Sequence, residues 1–178
     1  MLKHVHLTKT QWKSILKWSL YALVYLLVLV LQGVVLGKLP VFGAKLSPLP
    51  LYLVIVCIRE GPERGGLFVL LGTLLWYLSG ADYGNLSLAI LPIGSILAAI
   101  LCRAVLTVRL MSTWVCCLLI SLIHESLIFA FKLILPPGIS PDYYLRVLVP
   151  GVLLSLVTVP LMYFAAKAIS RIGVQHDL

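Results

Sequence analysis

The sequence predicts an all-α integral membrane protein, a compact bundle of about six transmembrane helices. Three observations carry that expectation. The 178-residue chain is 61% hydrophobic and only 11% charged, whereas soluble domains carry about 25% charged residues. Apolar runs such as 19–37 and 113–131 leave no polar coat for a water-soluble fold. The runs also fail to alternate apolar with polar residues, as the strands of a membrane β-barrel would. A nucleic-acid binder, a secreted disulfide scaffold and an ordinary cytosolic enzyme are excluded on these grounds.

The elements follow in chain order. Residues 1–17 form a basic N-terminal segment, expected on the cytoplasmic side. The transmembrane domain occupies 18–167, and 168–178 is a cytoplasmic tail. Within the domain the apolar segments run over 18–37, 46–58, 65–80, 86–102, 112–135 and 146–167. A full span takes about 20 residues, so the first, fifth and sixth qualify easily and the fourth is near the limit. The second and third are short. They flank a charged stretch of glycines and proline, 59–66, that cannot sit in lipid. They are therefore two tilted, shielded helices or a re-entrant hairpin, which is tolerated only under a protein cover.

The first segment follows a basic region, as in a signal peptide. It is too long for one, and no small-residue cleavage site follows, so it is read as a retained helix. Lys9, Lys13, Lys17, Tyr21 and Tyr25 fall at i, i+4 spacing on one face. With Trp12 and Trp18 beside them, the lysines form an interfacial collar that sets the depth of the helix. The same collar is a candidate contact surface for a cytoplasmic partner. Gly33 and Gly37 make a G-x-x-x-G pair that permits close helix contact. Gly65, Gly66 and Gly72 suggest that the third segment packs tightly. Pro92, Pro150 and Pro160 fall within apolar segments. Pro150 is placed to initiate the last helix and Pro160 to bend it.

Charge decides the orientation. With six spans and the N-terminus inside, the cytoplasmic segments hold Lys3, Lys9, Lys13, Lys17, Arg59, Arg64, Arg103, Arg109, Lys167 and Arg171. The outer loops hold Lys38, Lys45, Lys132 and Arg146. Ten positives against four, of the 14 in the chain, place both termini in the cytoplasm. A re-entrant 46–80 would bury Arg59 and Arg64, so six crossings give the better account.

Glu125 is the acid expected near mid-membrane, beside His124 in the fifth segment. A carboxylate there costs about 2.5–3.5 kcal/mol on insertion scales, which marks it as a polar clamp between helices, a contact with a partner's helix, or a proton or ligand site. Catalytic clusters are wanting. A zinc protease needs two His and a carboxylate at helical spacing, but His124 is the only intramembrane histidine. Ser95 has no evident base, and His4 and His6 are too few for a metal site. No catalytic residue, metal or cofactor is expected. Cys57, Cys102, Cys116 and Cys117 lack C-x-x-C spacing and read as packing thiols.

Taken together, these residues resemble the MreD family of bacterial rod-shape-determining membrane proteins over roughly 15–170. The resemblance rests on the turn Arg59-Glu60-Gly61-Pro62 and on a glycine-rich third span ending Leu78-Ser79-Gly80-Ala81-Asp82-Tyr83-Gly84. It rests also on Glu125 and on the closing helix from Pro150 to Pro160 and Tyr163. One departure is that the family often has an Asp in the third span, about where this chain has Trp76, so no role of that acid carries over.

The resemblance implies a non-catalytic scaffold in the bacterial cytoplasmic (inner) membrane. Its partners would be an MreC-like bitopic protein, MreB, RodA and a class B penicillin-binding protein, together guiding lateral peptidoglycan synthesis. Small six-span proteins of this kind also resemble the substrate-binding subunits of energy-coupling-factor vitamin transporters. Such subunits dock through an Ala-x-x-x-Ala face, whereas the first helix here has only Ala22. Asp82, Asn85, Asp142, Tyr143, Tyr144 and Arg146 would have to line such a transporter's pocket. The residues expected to make partner or helix contacts are Glu125, His124, Arg59, Gly72, Pro150 and Pro160.

Overall fold

The computed structural model describes residues 8–36, 46–80, 86–134 and 142–172. Every described element is helical: α1 (Lys9–Leu31), α2 (Pro48–Glu60), α3 (Pro62–Leu78), α4 (Ser87–Ala104), α5 (Leu110–Ile134), α6 (Val149–Leu156) and α7 (Val159–Ile172). A wider π-helical turn, Gln32–Leu36, continues α1, and another, Tyr144–Leu148, leads into α6. Lys3, His4, His6, Gly37, Lys38, Lys45, Asp82 and Asn85 lie outside the described residues.

The helix α2 is the axle of the bundle. All residues from Pro48 to Ile58 are buried, and the helix touches α1, α3, α4, α5, α6 and α7. A run apolar on every side has no polar face to show to water. Its 13 residues rise only about 20 Å, less than the roughly 30 Å of a bilayer's hydrocarbon core. The other helices enclose it instead.

Around α2 the outer helices show apolar side chains both inward and outward. Leu23 and Leu27 of α1, Leu67 and Leu71 of α3, Leu97 of α4 and Ile123 of α5 are all exposed. The stretch Lys9–Leu36, together with α4 and α5, is long and apolar enough to cross a membrane. The segment from Tyr144 to Leu156 and α7 make a fourth such stretch when taken as one bent span.

Local sequence sets the helix ends. Thr8 and Gln11 close a reciprocal capping box at the start of α1. The last apolar segment, read from sequence as one helix over 146–167, is instead broken, with a 41° bend between its halves. The break spans Val157 and Thr158, just before Pro160. Proline has no N–H to give the preceding turn. At the break the Thr158 N–H and hydroxyl both donate to the Ser155 carbonyl, at 3.0 and 2.7 Å. Pro150 sits where the π-helical turn Tyr144–Leu148 passes into α6, so it lies within a continuing helix and does not begin one.

Candidate functional site

At one end of the bundle the α2–α3 turn, Arg59-Glu60-Gly61-Pro62, is tied to three other helices. Glu60 accepts from Lys17 Nζ of α1 at 2.6 Å through one carboxylate oxygen and from the Tyr21 hydroxyl at 2.9 Å through the other. Arg59 donates to Ser170 Oγ of α7 at 3.1 Å and lies 5.3 Å from the Tyr163 ring centroid. Arg103 of α4 donates to the Arg59 carbonyl at 3.3 Å. Gly61 turns the chain at φ +98°, and a Cβ there would meet the Arg103 guanidinium at 2.7 Å. The backbone is what calls for glycine there, since the exposed Arg103 head can move aside.

The turn therefore explains how a charged tetrapeptide between two short helices is accommodated. Each charge is spent on a different neighbour. Positive residues from α1, α2 and α4 gather at this end, since Lys17, Arg59 and Arg103 all converge on the one turn.

The opposite end of α2 carries a second polar arrangement. A helix that begins inside a bundle leaves its first N–H groups without partners. Here Pro48 and Pro50 have none to satisfy. The Leu49 N–H is accepted by Gln32 Oε1 at 3.0 Å, and the Ser47 N–H by Ser155 Oγ at 2.9 Å. Gln32 also donates to Ser47 Oγ at 3.1 Å. The π-helical turn that starts at Gln32 is what presents this amide to α2.

A third cluster joins α4 to α5. His124 Nε2 lies 3.0 Å from Ser87 Oγ, and His124 Nδ1 lies 3.4 Å from Glu125 Oε1. With its proton on Nδ1, the ring donates toward the carboxylate and accepts from the hydroxyl. The atoms fall in the order of a hydrolytic serine–histidine–acid triad. Yet Ser87 and His124 are 1% and 2% exposed, so the hydroxyl has no path to a substrate in this conformation. Because Ser87 is the first residue of α4, the pair also levels His124 with the end of that helix, above the middle of the bundle. Glu125 itself keeps a quarter of its side chain exposed and shares a half-buried stripe with Trp114, Leu118 and Ser121. One residue on, Ser126 meets the Tyr144 hydroxyl at 2.8 Å.

The other sequence-predicted residues separate. Lys9, Lys13 and Trp12 are exposed, and Trp18 is half-buried. Lys17 turns inward to Glu60, while Tyr21 and Tyr25 are buried, the latter donating to the Gly72 carbonyl. The face read as one collar therefore divides: Lys9 and Lys13 are exposed, and from Lys17 onward the face is a helix contact. Gly72 lies against Leu53 and Tyr25, where a Cβ would come within 2.6 Å and 3.3 Å. Gly33 has nothing within 4 Å of a built Cβ.

Sequence reasoning did not single out Glu60 as a binding partner, nor Gln32, Ser155 or Ser87. A neutral polar residue within an apolar run was the available signal for the last three. Among the described residues, no group of three or more His, Cys, Asp or Glu could hold a metal ion. Comparison with protein-family models, curated proteins and solved structures finds no match.

Proposed function

We propose that the chain is a non-catalytic membrane scaffold of the MreD type. It crosses the bacterial inner membrane six times, with the α6–α7 pair as one bent span and both termini cytoplasmic. In this reading it contacts an MreC-like bitopic protein and organises lateral peptidoglycan synthesis with RodA, a class B penicillin-binding protein and MreB.

The observation that carries the reading is the position of the turn on which the resemblance rests. Arg59-Glu60-Gly61-Pro62 joins α1, α4 and α7 to the two short helices. That gives Arg59, Glu60 and Gly61 each a physical reason to be what they are. Two further features support it. The short helix α2 is sheltered on all sides, so it can cross without reaching lipid. Glu125 offers a carboxylate, a quarter exposed on the flank of α5, that a partner's membrane helix can engage.

Affinity isolation of the tagged chain from native membranes, with mass spectrometry of proteins and small molecules, tests the proposal. MreC-like and wall-synthesis proteins are the expected companions. Glu125→Gln should reduce their recovery several-fold while leaving the amount of folded chain unchanged. ATPase subunits recovered with a bound vitamin would instead establish a transporter subunit. Labelling of Ser87 by a serine-reactive fluorophosphonate would overturn the non-catalytic part.

A further inference from the structure

An open groove of about 260 Å³ lies between the first three turns of α1 and the start of α3, lined by Thr10, Gln11, Ser14, Lys17 and Arg64. We propose that it is a phosphate site, filled by the headgroup of an anionic phospholipid. The inference rests on the membrane character of the bundle and not on the scaffold reading.

The lining is a set of donors. It contains two cations, two hydroxyls and an amide, and no acid. Lys17 gives one of its three N–H groups to Glu60 and keeps two. Gln11 uses its carbonyl to accept the Thr8 N–H at 3.0 Å, which leaves its NH₂ to donate. Arg64 is exposed and makes no hydrogen bond or ion pair among the described residues. Its planar fork matches two oxygens of one phosphate. Nearby acid does not compete, because Glu60 is held by Lys17 and Tyr21, and Glu63 lies outside the lining.

Depth and shape favour a lipid over a soluble anion. Further along the same two helices, Phe68 packs 5.9 Å from Trp18 and 6.1 Å from both Tyr21 and Tyr25, ring centre to ring centre. A lipid headgroup would sit in the polar lining before that aromatic contact. Its acyl chains have a path outside, because Arg64, Leu67 and Leu71 share one face of α3 at i, i+3 and i+7. Leu67 and Leu71 are 62% and 51% exposed. Polar groove and apolar track are continuous, as a phospholipid requires, and basic pockets between membrane helices hold such headgroups elsewhere.

Native mass spectrometry of the full chain in mild detergent tests the site, with phosphatidylglycerol, phosphatidylcholine and inorganic phosphate as probes. One phosphatidylglycerol per chain should be retained, in preference to phosphatidylcholine, and millimolar inorganic phosphate should not displace it. Arg64→Gln should lower retention about fivefold, the worth of one interfacial cation, with the melting temperature unchanged. Arg146→Gln, at an exposed site beside Asp142, should change nothing. Should Arg64→Gln fail to fold, Arg64→Lys serves, with retention between the two. Equal retention of both lipids, or unchanged retention in both Arg64 variants, would overturn the proposal. Arg64-dependent binding of inorganic phosphate without phosphatidylglycerol would overturn the lipid assignment.

Discussion

Lys17 and Glu60 meet at 2.6 Å with 12% and 7% of their side chains exposed. A pair so enclosed is costly to break from one side, because the survivor keeps its charge and loses its partner. Removing one member of a buried pair typically costs about 3–5 kcal/mol, while replacing both is often close to neutral. Lys17→Met should therefore lower the melting temperature of the detergent-solubilised protein sharply. Lys17→Met with Glu60→Gln should recover much of the loss, since Tyr21 can still bond a neutral amide. Additive losses in this double-mutant cycle would show that the pair is not coupled. The i, i+4 series through Lys17, Tyr21 and Tyr25 was legible in the sequence as one face. What that face meets was not, because Glu60 lies 43 positions away and no local pattern spans such a gap. His124 and Ser87, 37 positions apart, were hidden for the same reason.

At the scale of elements, close approach of α2 and α3 depends on Gly65. A Cβ there would sit 2.6 Å from the Cys57 Cα, and backbone cannot swing aside as a side chain can. Gly65→Ala should cost roughly 1–3 kcal/mol, the usual penalty of overpacking, read as a lower thermal midpoint. Gly33→Ala, with open space around it, should stay within about 1 kcal/mol of the parent. Equal effects at the two sites would refute the packing described for the α2–α3 hairpin. The sequence displayed the apolar segments well, and their helical character is what the structure has. It did not display the break at Val157 and Thr158 as a break, because Pro160 fixes where an N–H is missing and not how far the axis then turns. The start of α2 was only partly displayed. The segment from 46 was legible, but not that the spare donors at its start go to Gln32 and Ser155.

For the whole molecule, composition pointed to a membrane. Among the described residues, helices with three long apolar members, or four counting the bent pair, fit the 61% hydrophobic content. Composition could not say which helix stands at the centre. The segments 46–58 and 65–80 are alike in being short and apolar, but α2 is buried throughout while α3 turns leucines outward. The distinction lies in which helix the others surround, a property of the assembly that neither segment carries by itself.

That central position has a consequence for biogenesis. The helix α2 is made second, but part of its cover and two of its polar anchors come from α6 and α7, which are made last. Until Ser155 and Ser170 arrive, the Ser47 N–H and the Arg59 guanidinium lack the partners they have in the finished bundle. A chain ending at Ile134 should then leave Cys57, fully buried in the complete protein, open to maleimide. The complete chain should protect it. Equal protection would mean that the centre closes before α6 and α7 are added. Protection in the complete chain alone would mean that synthesis and closure run in opposite orders, with the axle the last part of the bundle to be fixed in place.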